Sequence, residues 1–153
     1  NSRIFNDYRE VFRKQIKSLN ESENDIILFL RYKNTLTTYH SLLYDIPYTC
    51  VSYIVSYEAA DGSIEYGQMI VFFKLREDYY VLIRQYTSTN KNISDFLSIP
   101  TKFNDKINEI FPIRTLTNLY TIVSVNSIRF RCIQIESNDL LFLSEVRVDY
   151  EHD

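Results

Sequence analysis

The most pronounced apolar pattern of the chain lies between residues 64 and 86. Residues 65–75 and 79–86 are rich in Val, Ile, Phe and Tyr, and the polar residues Arg76-Glu77-Asp78 separate them. β-branched and aromatic side chains suit a pleated, half-buried surface, and the residues between them favour chain reversal. The pattern predicts a β-hairpin. Because so apolar a hairpin needs other elements to cover it, we expect the remaining apolar segments to pack around it.

Several further segments have the pattern of strands. Residues 48–57 precede the turn residues Asp61-Gly62 and should run back into the hairpin, which predicts a meander of three strands. Residues 114–123, 128–136 and 140–150 also predict strands, whereas residues 40–47 are typical of a loop. Residues 26–32 fit either a buried strand or a continuation of the first helix, and their β-branched and aromatic residues favour the strand. Gly67 in the middle of a strand indicates a bulge or a close approach of the backbone.

Helical periodicity is limited to the start of the chain and to one long connection. Residues 2–19 place apolar side chains at steps of three and four, which predicts an amphipathic helix packed on the sheet. Residues 93–97 and 101–111 predict a helical turn and a short helix. We therefore expect residues 1–25 to form an N-terminal helical segment. Residues 26–153 should form a mainly β domain of about six or seven strands, as a partly open barrel or a sandwich.

Composition and charge exclude several classes of protein. Apolar residues make up 45% of the chain and charged residues 24%, as in globular domains. The net charge of −3 provides no overall basic field, and no apolar run reaches the roughly 20 residues that span a bilayer. We expect an intracellular protein. Cys50 and Cys132 lie in apolar runs without the spacing of a zinc site, so we expect neither a metal nor another cofactor.

Candidate chemistry is limited to aromatic and basic side chains. His40, Ser41 and Asp45 are the residue types of a catalytic triad, but sequence neighbours do not reach the geometry that a triad needs, and we expect no enzyme. The chain has 13 Tyr and 10 Phe, of which most should pack in the core. The tyrosines that we consider for binding a partner are Tyr39, Tyr44, Tyr48 and Tyr66.

Six pieces of the chain follow one another in an informative order. They are R-Y-K-N-T-L-T-T-Y-H-S-L-L-Y at residues 31–44, a predicted strand with Cys50, G-S-I-E-Y-G-Q-M-I-V-F-F at 62–73, Y-Y-V-L-I at 79–83, I-V-S-V-N-S-I-R-F-R-C-I-Q-I at 122–135 and Y-E-H-D at 150–153. Together they resemble the bromo-adjacent homology (BAH) domain, in the form found in mobile-element-derived and chromatin-associated proteins. Residues 123–125 replace a start that usually contains proline, and Arg131-Cys132 stands where Lys-Cys is common. The resemblance covers residues 31–153.

The resemblance implies an SH3-like, partly open β-barrel and a non-enzymatic function. It implies a protein or peptide partner, such as a histone tail or a chromatin factor, and a nuclear location. The alternative from the residues alone is a nucleic-acid-binding domain, in which exposed tyrosines stack on bases and the first helix supplies phosphate contacts. Its basic residues are Arg3, Arg9, Arg13, Lys14 and Lys17.

Overall fold

The structure is a computed structural model that describes residues 2–19, 25–44, 53–137 and 139–147. It is mainly β, as predicted, with two α-helices and nine strands in the part of the chain described. The helices are α1 (Ser2–Ser18) and α2 (Asn104–Ile110). The strands are β1 (Ile26–Phe29), β2 (Arg31–Lys33), β3 (Thr38–His40), β4 (Ile54–Glu58), β5 (Ile64–Leu75), β6 (Asp78–Ser88), β7 (Arg114–Ser124), β8 (Ile128–Ser137) and β9 (Leu140–Glu145). None of the described helices has the length and apolar character needed to cross a membrane.

Six strands form one antiparallel sheet in the order β7-β6-β5-β4-β8-β9. The short strand β1 adds a seventh member beside the C-terminal half of β5, and β2 and β3 form a separate hairpin. Only a single 3-10 turn, Val125–Ser127, connects β7 at one end of the sheet to β8 beyond β4. Because so short a link cannot cross a flat sheet, the sheet curls into a half-barrel, which confirms the predicted open-barrel architecture.

The two ends of the sheet approach each other along a seam between β7 and β9. A single bridge joins Ile113 to Phe142, and the Leu143 N–H donates to the Pro112 carbonyl at 3.0 Å. Beyond these contacts no further ladder connects β7 and β9 among the described residues. The barrel is therefore nearly closed at one point and open on either side of it.

Strand β5 is the centre of the fold because it is buried on both faces. Its residues from Tyr66 to Phe73 are all buried. A bulge between Met69 and Val71 shifts the register, so that Met69 and Phe72 face the barrel interior while Ile70, Val71 and Phe73 face the helix. The predicted central hairpin is thus confirmed. Its turn is shorter than predicted, since Asp78 already pairs with Leu75 and Arg76 takes a φ of 57°.

Helix α1 covers the outer face of the hairpin. Phe12 and Ile16 are buried against the cluster that contains Phe73, with the rings of Phe12 and Phe73 5.3 Å apart at 81°. Gln15 donates to the Tyr120 carbonyl at 3.2 Å, which ties the helix to β7. The predicted amphipathic helix and its packing on the sheet are confirmed, as are the short helices at residues 93–96 and 101–110.

Two predictions for the segment before β4 are wrong in detail. The apolar run 26–32 is not one strand, because a bend at Leu30 divides it into β1, which pairs with β5, and β2, which pairs with β3. His40 belongs to β3 rather than to a loop. The Asn34 side chain accepts the N–H groups of residues 36 and 37 at 2.9 and 2.7 Å, and this local turn makes the unpredicted hairpin. Residues 45–52, with Cys50 and the start of the predicted strand, lie outside the described residues.

Candidate functional site

A cleft of about 630 Å³ lies at the barrel seam, within the size range of ligand sites. One side of it is the long connection between β6 and β7, which contains the 3-10 turn Ile93–Phe96 and α2. The other side consists of residues from β5, β7, β8 and β9. We call it the seam cleft. Its charged lining residues are Lys91, Glu109, Arg114, Arg129, Glu145 and Arg147.

Arg114 is the first residue of β7 and lies over a buried aromatic ring. Its guanidinium carbon is 5.2 Å from the centroid of the Tyr66 ring, and its Nη1 donates to the Ile113 carbonyl at 3.1 Å. Tyr66 is only 7% exposed and packs in the core cluster with Tyr86, Cys132 and Leu143. Burial raises the pKa of Tyr66, and the positive charge of Arg114 opposes this rise. The guanidinium therefore rests on a fixed aromatic surface.

A second group of charges surrounds the carboxylate of Glu145, which has only 12% of its side chain exposed. Arg147 donates to Oε2 through Nε at 3.0 Å and through Nη2 at 2.8 Å. On the other side, Arg129 Nη1 lies 3.9 Å from Oε1. Both guanidinium groups also lie against the ring of Phe130, at 5.4 Å for Arg129 and 5.0 Å for Arg147. The mostly buried carboxylate of Glu145 therefore fixes the positions of two arginines.

The helical side of the cleft is tied together by its own polar groups. The Asn108 side chain on α2 accepts from the Ser94 N–H at 3.0 Å and donates to Ser94 Oγ at 2.9 Å. The Asn92 N–H donates to Asp95 Oδ2 at 3.0 Å. These bonds link the 3-10 turn to α2, so the wall is a braced unit with its amide groups already used.

The structure does not bring the four candidate tyrosines together. Tyr39 is 5% exposed and packs inside the barrel with Tyr57 and Met69, whereas Tyr66 lies in a different cluster at the seam cleft. Tyr44 is half-buried and stacks on His40 at 4.8 Å and 5°. Tyr48 lies outside the described residues. Of the three tyrosines that the structure describes, Tyr66 is the one placed at a charged cavity.

The basic residues of α1 whose side chains are described differ in exposure. Arg9, Lys14 and Lys17 are exposed, and Arg13 lies 3.5 Å from Glu10. The side chain of Arg3 lies outside the described part of the chain. The predicted basic flank is therefore available to solvent at three of its positions.

Sequence reasoning missed the arginines of the seam cleft. Arg114, Arg129 and Arg147 lie at the start of β7, near the start of β8 and just after β9. Each lies in or beside an apolar run, and two of them have another charge only two residues away, so the sequence gives a weak signal. They converge only because the curled sheet brings the ends of three strands to one place.

The chemistry available in the seam cleft is that of anion and hydrogen-bond recognition. Four cationic side chains and two carboxylates line it, in a chain whose net charge is −3. Among its described lining residues there is neither histidine nor cysteine, and nowhere in the described chain do three potential metal ligands cluster. No protein-family model matches this chain, and neither a curated protein nor a solved structure does.

Proposed function

We propose that this domain is a non-enzymatic binding module that holds an extended segment of a partner protein along the barrel seam. One observation carries the proposal. The seam cleft adjoins a second cavity of about 410 Å³, and Thr89, Lys91, Ile113 and Arg114 line both cavities. The second cavity is also lined by Leu116, Leu140 and Leu141. We take the two adjoining cavities as one elongated groove, the shape that suits a peptide in extended conformation.

The groove lies where the sheet has open edges. Beyond the Ile113–Phe142 bridge, β7 and β9 separate, so main-chain groups at the seam border the groove. Edge strands with unpaired main-chain groups are natural partners for an added extended segment. The braced connection containing Ser94 and Asn108 provides a wall that needs little reorganisation on binding.

We also propose a BAH-like family assignment, with which a curled, mainly β half-barrel is compatible. The strand order β8-β4-β5-β6-β7, with one 3-10 turn between β7 and β8, agrees with an SH3-like barrel core. Such a domain would belong to a mobile-element-derived or chromatin-associated protein in the nucleus, with a histone tail or chromatin factor as partner. The cationic surplus of the groove favours a chromatin factor with an acidic segment over a basic histone tail.

An array of synthetic nonapeptides, including histone tails and acidic segments, tests the proposal. Ile93 lines the seam cleft, and Ile93→Trp should fill it and abolish peptide binding. The matched control is Leu36→Trp, which adds the same indole at an 88% exposed position on the β2–β3 turn and should leave binding intact. Circular dichroism confirms that both variants fold. A domain that binds no peptide, or an Ile93→Trp variant that binds the same peptides, would refute the proposal.

A second candidate function is nucleic-acid binding through α1. The exposed side chains of Arg9, Lys14 and Lys17 favour it, since phosphate contacts need accessible cations. Binding to a duplex oligonucleotide should then weaken steeply with salt, and Lys14→Gln with Lys17→Gln should reduce the slope by about two. If the domain shows no salt-dependent binding at low ionic strength, this candidate is rejected.

A further inference from the structure

The polar groups that line the groove fall into two sets, those already used within the protein and those still open to a ligand. Glu145 engages Arg147 and faces Arg129, and Ser94 occupies the amide of Asn108. Lys91 and Arg114 are different. Within the described chain neither of them has a carboxylate partner, and both line both cavities of the groove.

The guanidinium of Arg114 is held in one position before any anion binds, unlike that of an ordinary surface arginine. It lies on the Tyr66 ring, and one N–H is bound to the Ile113 carbonyl. The ring itself is held in the core, so the position of the charge is set by buried contacts. A planar guanidinium with its remaining donors open binds carboxylate or phosphoryl oxygens through two parallel hydrogen bonds. Because little side-chain entropy remains to be lost, such a site binds more strongly than a mobile one.

We infer that Arg114, assisted by Lys91, binds the oxyanion of an acidic side chain at the middle of the bound segment. This inference rests on the proposed function and names the chemistry of its ligand. Carboxylate and phosphoryl groups share that chemistry. The apolar residues Leu116, Leu140 and Leu141 lie in the second cavity beyond Arg114. The segment therefore carries an acidic residue followed or preceded by an apolar one.

The Glu145 carboxylate does not attract basic ligands to the groove. It is already neutralised by Arg147 and Arg129, so it offers no free negative charge to a lysine or arginine of the ligand. Glu109, which is exposed on α2, is the other carboxylate of the lining. Because Lys91 and Arg114 have no carboxylate partner in the described chain, a cationic residue at the central position of the ligand is disfavoured.

The test is a set of fluorescent nonapeptides that differ only at the central position, which is Glu, Gln, phosphoserine, Ser or Lys, with Leu as its neighbour. Binding to the full chain is measured by fluorescence anisotropy at fixed ionic strength. We expect the Glu peptide to bind about tenfold more tightly than the Gln peptide, the difference typical of a charge-assisted bidentate contact. The phosphoserine and Ser pair shows whether the site prefers a phosphoryl group to a carboxylate.

Arg114→Gln is the decisive variant and Arg9→Gln is its matched control, since Arg9 is an exposed arginine on α1 and lines neither cavity of the groove. Arg114→Gln should remove the preference for Glu over Gln, and Arg9→Gln should keep it. Arg114→Lys keeps the positive charge but lacks the planar guanidinium that donates two parallel hydrogen bonds, and it should retain only part of the preference for Glu. Thermal unfolding checks that all three variants fold.

The possible results separate a failure of this inference from a failure of the proposed function. Peptides that bind without a preference for the acidic residue would overturn the inference and leave the binding module standing. A preference that persists in Arg114→Gln would also overturn it, because the anion would then bind elsewhere. If no peptide of any kind binds, both the inference and the proposed function fail.

Discussion

The packing of Gly67 in β5 leads to a prediction about stability. A Cβ atom placed on Gly67 would overlap Cγ2 of Ile83 on the neighbouring strand. The same atom would lie 3.0 Å from the Arg84 carbonyl oxygen and 3.3 Å from Cε1 of Tyr57. Ile83 and Tyr57 are fully buried inside the barrel, and the Arg84 oxygen belongs to the backbone of β6. None of these neighbours can move aside without disturbing the core.

The expected cost of Gly67→Ala follows from these contacts. Overpacking by one methyl group typically costs about 1–3 kcal/mol, and a clash with a β-branched, buried side chain belongs at the upper end of that range. The added Cβ lowers the entropy of the unfolded chain and returns roughly 0.5–1 kcal/mol. We therefore expect Gly67→Ala to lower the free energy of unfolding by about 2 kcal/mol.

Gly62→Ala is a control in which the loss of stability comes from backbone conformation and not from packing. Gly62 has a φ of +83°, and a Cβ there would meet nothing within 4 Å. Gly62→Ala should therefore cost only the backbone strain, about 1 kcal/mol. Ile83→Ala should relieve the clash, so that the double variant with Gly67→Ala is at least about 1 kcal/mol more stable than the sum of the single effects predicts.

Urea unfolding, followed by circular dichroism and by the fluorescence of the 13 tyrosines, measures these differences. The slopes of the transitions should agree among the variants, because the surface exposed on unfolding is unchanged. A Gly67→Ala variant within about 0.5 kcal/mol of the wild type, the range of ordinary surface changes, would show that β5 and β6 are not packed as described. Additive effects of Gly67→Ala and Ile83→Ala would contradict the assignment of the clash to Ile83.

Two further predictions concern ionisable groups. Burial raises the pKa of Cys132 from 9.0 to about 12, so the folded state keeps a proton that the unfolded thiol loses, and stability should fall as the pH rises from 9 towards 12. In a Cys50→Ser variant, a thiol reagent should react with Cys132 only on unfolding, and rapid reaction of the folded protein would contradict the burial. Burial, Arg31 and Arg131 lower the pKa of His40 below 6.5, so its contribution to stability should be lost as the pH falls below 6.5. An NMR titration should show the low pKa and its rise in Arg31→Gln, and a pKa of 6.5 or above would refute the arrangement.

The elements that could be predicted from the sequence are those whose evidence is local. The hairpin of β5 and β6 was predictable because β-branched and aromatic side chains are dense on both sides of a polar turn. Helix α1 was predictable because Phe12 and Ile16 belong to an apolar stripe with helical spacing. A strand pattern does not reveal bends or bulges, however. The break at Leu30 and the shift between Met69 and Val71 arise where the chain meets other strands.

The candidate site depended much more on tertiary structure. Tyr66 was singled out as a candidate from the sequence, but nothing near it in the chain indicated the charge that it supports. Its partner Arg114 lies on a strand that is not its neighbour in the sheet, beside the seam formed by the bridge from Ile113 to Phe142. Tyr39, a candidate of the same residue type, is buried among barrel side chains instead. Residue type alone does not separate a tyrosine that supports a cation from one that fills the core.

By itself, the sequence determined that this chain folds as a mainly β domain with a helix over its central hairpin, because hydrophobic periodicity acts over a few residues. The curl of the sheet, which is a tertiary feature, determined where the candidate site lies. It places the middle of β9 beside the start of β7, and so brings Arg114, Glu145 and Arg147 to one groove with Tyr66. Charges so distant along the chain meet only through strand order and register, and these are set by the packing of the whole barrel.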